Sequence, residues 1–219
     1  MKSNMNKFSK LLFASLILAS SPQADAKDGY YVRGDLHDVL SGKLSNGDDY
    51  GKKRIKNSFG FGIGAGYDIN RFGVDVTYTH LNQMKFSHVV DGSLRNQKFS
   101  SEILMLNGSY DFYHSKFFTS FINVGVGHGW NKAGNFSDQM ANAFQKGATS
   151  SAFVWKVGAG VNYAFNEKVS VNLNYNYLHL NTFKTSQVLV PSVGESEVTP
   201  VIKTKLPLHV IGLGIKYKF

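Results

Sequence analysis

Three sets of residues have types and spacings that could do chemistry. Gly60-Phe61-Gly62-Ile63-Gly64-Ala65 fits G-x-G-x-x-G/A, the turn that cradles a dinucleotide pyrophosphate on backbone amides. Lys52, Lys53, Arg54 and Lys56 place four cations in five positions, a spacing suited to an acidic partner. Seven histidines, at 37, 80, 88, 114, 128, 179 and 209, could bind a metal or carry a proton, but none shows H-E-x-x-H or comparable ligand spacing. The chain has no cysteine, which excludes thiolate metal sites, thiol nucleophiles and disulfides. No catalytic, cofactor-binding or metal-ligating residue is assigned.

The glycine motif fails once the elements around it are considered. A phosphate-binding turn follows a strand and opens an apolar-periodic helix. Here Phe59, Phe61, Ile63, Ala65, Tyr67 and Ile69 fall on one face of a strand, and Ser58, Gly60, Gly62, Gly64, Gly66 and Asp68 on the other. The alternation runs straight through the glycines, so this is a strand with one apolar and one small-residue face.

The same two-residue period recurs in seven further segments, which begin near Tyr30, Phe72, Leu104, Ile122, Phe153, Val169 and Ile211. That predicts eight strands, most with the roughly 9–11 residues of a tilted transmembrane strand. Tight turns are expected near 68–71, 113–116 and 166–168, and long connections at 38–57, 81–101, 131–151 and 180–206. Short and long connections alternate strictly. In an up-and-down barrel all long loops then leave from one end, and both chain termini lie at the other.

Residues 1–26 read as a cleavable secretory leader, with Lys2, Lys7 and Lys10 ahead of an apolar run from Leu11 to Ala19 and an Ala24-Asp25-Ala26 cleavage site. The apolar run is too short to span a bilayer as a helix. The exported domain is residues 27–219. With the leader removed, the 24 basic residues fall by three and the 15 acidic by one, giving 21 against 14, or +7.

Volume decides which face points inward. An eight-stranded barrel has just enough interior for side chains. Several large apolar residues from every strand would overfill it, whereas the Gly, Asn, Ser and Thr face fits. The apolar face therefore meets lipid, flanked by aromatics near the turns (Tyr30, Tyr67, Phe72) and towards the loops (Tyr78, Trp155, Tyr177), as interfacial girdles require. Arg33, Asp35, Asp75 and Lys156 then point into the lumen, two of each sign, and form an expected ionic plug, because a lone buried charge costs several kcal/mol.

The chain ends IGLGIKYKF, with Ile215, Tyr217 and Phe219 at alternating positions. That ending is similar to the C-terminal signal read by the barrel-assembly machinery. Together with the leader, LMLNGSYDFY at 104–113 and FVWKVGAGVNYAF at 153–165, it resembles the OmpA-like, opacity-type outer-membrane β-barrel family of surface antigens. The resemblance implies an all-β, eight-stranded antiparallel barrel in the bacterial outer membrane, with extracellular loops and periplasmic termini. It also implies loops that act in adhesion, with a small passive pore or a structural envelope protein as alternatives.

Barrel enzymes that modify lipid A are the remaining, enzymatic alternative. Lipid A deacylases use a His-x-Ser-Asn run, but Leu180 and Asn181 follow His179 here and the serine nucleophile is absent. The four long connections carry +6 of the mature +7. The expected partners are outer-membrane lipid, the assembly machinery and an acidic host glycan or glycoprotein. Nucleic acid is not expected, because the loops offer no stacking platform.

Overall fold

The computed structural model describes residues 28–42, 58–90, 93–134, 136–138, 143–145, 148–184, 189–191, 196–198 and 203–219. Twelve strands lie among them: β1 (Gly29–Gly42), β2 (Ser58–Ile69), β3 (Phe72–Val90), β4 (Ser93–His114), β5 (Phe118–Ala133), β6 (Phe136–Asp138), β7 (Ala143–Gln145), β8 (Thr149–Ala164), β9 (Val169–Lys184), β10 (Leu189–Pro191), β11 (Ser196–Val198) and β12 (Lys203–Lys218). Eight of them close into an antiparallel barrel in the order β1-β12-β9-β8-β5-β4-β3-β2. The pairs β6–β7 and β10–β11 form two small ribbons within the third and fourth long connections.

Turn chemistry explains the short-loop end. Asn70 and Arg71 join β2 to β3, and Asn70 takes φ 53°, a left-handed conformation that asparagine tolerates. Its backbone amide donates to Asp28 Oδ1 at 2.6 Å. Between β4 and β5 the Ser115 hydroxyl oxygen accepts from the Phe118 amide at 3.2 Å. Between β8 and β9, Asn166 Oδ1 accepts from the amides of Lys168 and Val169 at 2.9 and 2.8 Å, an Asx turn.

The outer wall settles what solvent surrounds the barrel. Leu36, Ile63, Val76, Leu106, Val124, Val157, Leu173 and Ile215 all point outward and are exposed. They belong to one continuous apolar belt far larger than the few hundred Å² that soluble monomers leave uncovered. At the turn end the belt is edged by ring pairs such as Tyr30–Tyr67 at 4.7 Å and Tyr217–Phe219 at 5.4 Å. Phe219 also closes the seam, where its amide donates to the Tyr30 carbonyl at 3.0 Å.

Two expectations about the loops need correction. The segment 81–101 is mostly an extension of the β3–β4 hairpin, paired from Met84↔Phe99 to Val90↔Ser93. The period is interrupted by a bulge between Leu81 and Met84, so reading by alternation stops short of the true strand end. Similarly, β12 starts at Lys203 and includes Pro207, paired with His179 and next to a bulge between Thr204 and Leu206. Proline is accepted in a strand at such a bulge.

Candidate functional site

Alternation turns Tyr31, Arg33, Asp35 and His37 of β1 into the lumen, where the neighbouring strands leave space. An added Cβ at Gly64 of β2 would sit 3.2 Å from Arg33 Cγ, and one at Gly125 of β5 would sit 3.1 Å from Lys156 Cε. The glycines of the inward faces are therefore the room in which the long cations lie.

Arg33 clasps Asp35 with Nε and Nη2, each 2.8 Å from a carboxylate oxygen, and its Nη1 reaches over the glycine face of β2 to Asp75 on β3 at 3.3 Å. Asp75 also accepts from Tyr31 Oη at 3.0 Å and Asn107 Nδ2 at 2.6 Å, and Asn107 Nδ2 lies 2.9 Å from Thr77 Oγ1. Both carboxylates are buried. Charge-assisted bonds of this kind offset the desolvation of a buried carboxylate, and removing one partner exposes the full cost.

Of the four inward charges expected from the sequence, the structure joins three. Lys156 lines the same polar cavity of about 60 Å³ but pairs directly with none of the three. Beside it runs a ladder of asparagines on β9, in which Asn176 Nδ2 donates to Asn174 and Asn174 Nδ2 to Asn172, both at 2.6 Å. A cavity of this size admits a few waters and no larger solute.

A second ionic cluster lies closer to the turn end. Lys216 Nζ donates to both Asp68 oxygens at 2.9 and 2.7 Å, and Lys218 Nζ lies 3.1 Å from the same carboxylate. Lys216 also sits 3.7 Å over the Tyr31 ring, which links this cluster to the Arg33 layer. Sequence alternation puts all three residues on inward faces. Their pairing, across 148 positions for Asp68 and Lys216, carries no sequence signal.

Towards the loop end the lumen changes character. Val39, Leu81, Met84, Phe99, Ile103, Met105, Val154, Leu178, Leu180, Leu206, Leu208 and Val210 are buried in one apolar cluster. The small-and-polar inward face expected from the sequence dominates the turn-side half, and on the loop side it persists at Ser58, Ser101, Asn131 and Ser150. The loop-side half is otherwise filled with large apolar side chains, several of them in segments expected to be loop. This layer lies between the charged layer and the outside.

The outer rim holds little of the predicted site within the described residues. Lys52, Lys53, Arg54 and Lys56 lie outside them, as do residues 1–26. Lys132 Nζ donates to Glu102 on the outer wall at 2.7 Å. His179 stacks on Trp155 with ring centroids 5.4 Å apart and 7° between planes, while Leu180 is fully buried on the opposite face of β9. Among the described residues no group of three or more His, Asp or Glu is arranged to hold a metal ion.

The closed eight-stranded barrel, with its apolar outer wall and aromatic edges, agrees with the family comparison. The model of the outer membrane protein beta-barrel domain matches residues 11–219. The chain belongs to that family. It is an outer-membrane protein, with the short turns facing the periplasm and the long connections outside. It is 27% identical to outer membrane protein PagN of Salmonella typhimurium, over 98% of this chain and 100% of the relative. Its fold is similar to that of Neisserial surface protein A, at 20% identity and a TM-score of 0.51, covering 90% of this chain and 100% of that one. A major outer membrane protein of Thermus thermophilus is similar too, at 12% identity and a TM-score of 0.51, covering 89% and 100%. These two likenesses speak to the barrel fold alone.

Proposed function

We propose that this outer-membrane barrel is a non-enzymatic surface interaction protein that captures an acidic glycan or glycoprotein through its long basic outer connections. The observation that carries the reading is an asymmetry of charge on a closed scaffold. The segments 38–57, 81–101, 131–151 and 180–206, which include the loop-side ends of the strands as well as the connections between them, hold +6 of the +7 carried by residues 27–219, and the lumen between them and the periplasm is filled. Long basic loops raise the local concentration of acidic ligands and speed their encounter.

Lys52, Lys53, Arg54 and Lys56 are the densest cationic run and are assigned as the main contact. Ile215, Tyr217 and Phe219, which line the outward face of the closing strand, are assigned as the signal for the assembly machinery. The filled lumen weighs against a passive pore, and no separate observation favours that alternative.

The test is attachment of bacteria displaying the protein to cultured mammalian cells. The K52S/K53S/R54S/K56S variant, at equal surface level, is expected to lose most of the attachment. Attachment equal to the unsubstituted protein would contradict the assignment.

A further inference from the structure

Four of the histidines share a position that neither the ionic lumen nor the basic loops explains. His80 on β3, His128 on β5, His179 on β9 and His209 on β12 all lie on the outward face, just beyond the apolar belt on the loop side. Each meets an aromatic ring: Phe61 at 5.4 Å for His80, Trp130 at 4.9 Å for His128, Trp155 at 5.4 Å for His179 and Tyr177 at 5.5 Å for His209. Aromatic side chains at this level mark the plane where hydrocarbon meets headgroups. The imidazoles therefore stand at the depth of the outer-leaflet phosphates.

We propose that these four histidines form an acid-sensitive collar that binds the phosphates of anionic lipid in the outer leaflet. Imidazole is the side chain whose charge ordinarily changes between about pH 5 and 8. Protonation of the set adds four positive charges to a surface that otherwise carries few. Anionic headgroups at the membrane surface attract each such cation.

The groups facing the collar are compatible with that change. His80 is paired across the sheet with Glu102 on β4, which is itself bonded to Lys132 on β5 at 2.7 Å. His128 faces Leu104 on β4 and Phe153 on β8. His179 lies between Trp155 on β8 and Pro207 on β12. His209 Nδ1 is 2.5 Å from the Tyr175 hydroxyl, and Asp38 on β1 stands opposite Ile211, two residues further along the same outward face. Among the described residues the fixed charges at this level are Asp38, Glu102 and Lys132, of both signs, and protonation of the set adds positive charge beside them.

The protein supplies its own reporter, because its two tryptophans, Trp130 and Trp155, both lie in the collar. The full-length barrel is reconstituted in phosphatidylcholine bilayers containing a minor fraction of spin-labelled phosphatidylglycerol or, in parallel, spin-labelled phosphatidylcholine. Tryptophan quenching is referred at each pH to the same bilayer without label, which removes quenching by the imidazolium itself. Lowering the pH from about 7.5 to about 5 is expected to raise quenching by phosphatidylglycerol at least about twofold and to leave quenching by phosphatidylcholine unchanged. The H80Q/H128Q/H179Q/H209Q variant is expected to lose the response. Should that variant fail to assemble, H128Q alone is expected to lose the part that reports from Trp130. A flat phosphatidylglycerol response, an equal rise with both lipids, or a full response in the quadruple variant would overturn the proposal. The experiment reads lipid contact only, so its failure leaves the loop-binding function standing.

Discussion

Arg33 and Asp35 stand two positions apart on β1 and bind side by side, with Nε and Nη2 each 2.8 Å from a different carboxylate oxygen. Such i, i+2 residues share one face of a strand, and here that face is the lumen. The pair reaches across to Asp75 through Arg33 Nη1. One guanidinium therefore neutralises two buried carboxylates from two strands.

Replacement of Arg33 by Met should leave Asp35 and Asp75 without their cation and destabilise the barrel by about 3 kcal/mol. The triple variant R33M/D35N/D75N should recover much of that loss, because no uncompensated charge remains. Urea unfolding from detergent micelles measures both. Equal stability of R33M and the unsubstituted barrel would show that the ionic layer contributes nothing.

Gly60 and Gly34 separate crowding from chain flexibility. A Cβ at Gly60 would meet the His80 carbonyl oxygen at 2.7 Å and Leu81 Cδ2 at 2.8 Å, whereas one at Gly34 on the outer wall meets nothing within 4 Å. Gly60→Ala should cost about 1–3 kcal/mol. Gly34→Ala should stay within about 0.5 kcal/mol. Thermal unfolding of the two variants side by side checks this, and equal midpoints would refute a close-packed inward face.

The apolar layer around Leu178, Leu180, Leu206 and Leu208 lies across the path from the charged lumen to the loops. Planar-bilayer recordings of the purified barrel should therefore show no large steady conductance. Replacing Leu178 and Leu208 by Asn is expected to bring conducting events together with lower stability, since polar groups would replace close-packed aliphatic ones. A large steady conductance from the unsubstituted protein would contradict the filled lumen.

Much of this architecture is legible in the sequence because the period of a strand is two. The order of Phe59, Gly60, Phe61 and Gly62 alone assigns the opposite faces of Ser58–Ile69, and with them the glycine motif ceases to be a nucleotide turn. The inward direction of Arg33, Asp35, Asp75 and Lys156 follows from the same rule. What the period does not carry is distance. Lys156 shares a face with the others yet stays unpaired with them, and the Asp68–Lys216 bond depends on closure of the ring. Bulges at Leu81/Met84 and Thr204/Leu206 shift the period, which hides the longer β3, β4 and β12 and with them half of the apolar layer.

The central claim is that the activity resides in the cationic outer connections and that the barrel beneath them is a closed support. Binding of the purified, refolded protein to immobilised heparin, measured at about 20 mM and about 500 mM salt, tests it most directly, because screening at the higher salt shortens electrostatic reach to a few Å. The expected result is salt-sensitive binding that falls at least about tenfold at low salt in K52S/K53S/R54S/K56S, a loss equivalent to about 1.4 kcal/mol. Binding at low salt that is unchanged by the four substitutions would contradict the claim.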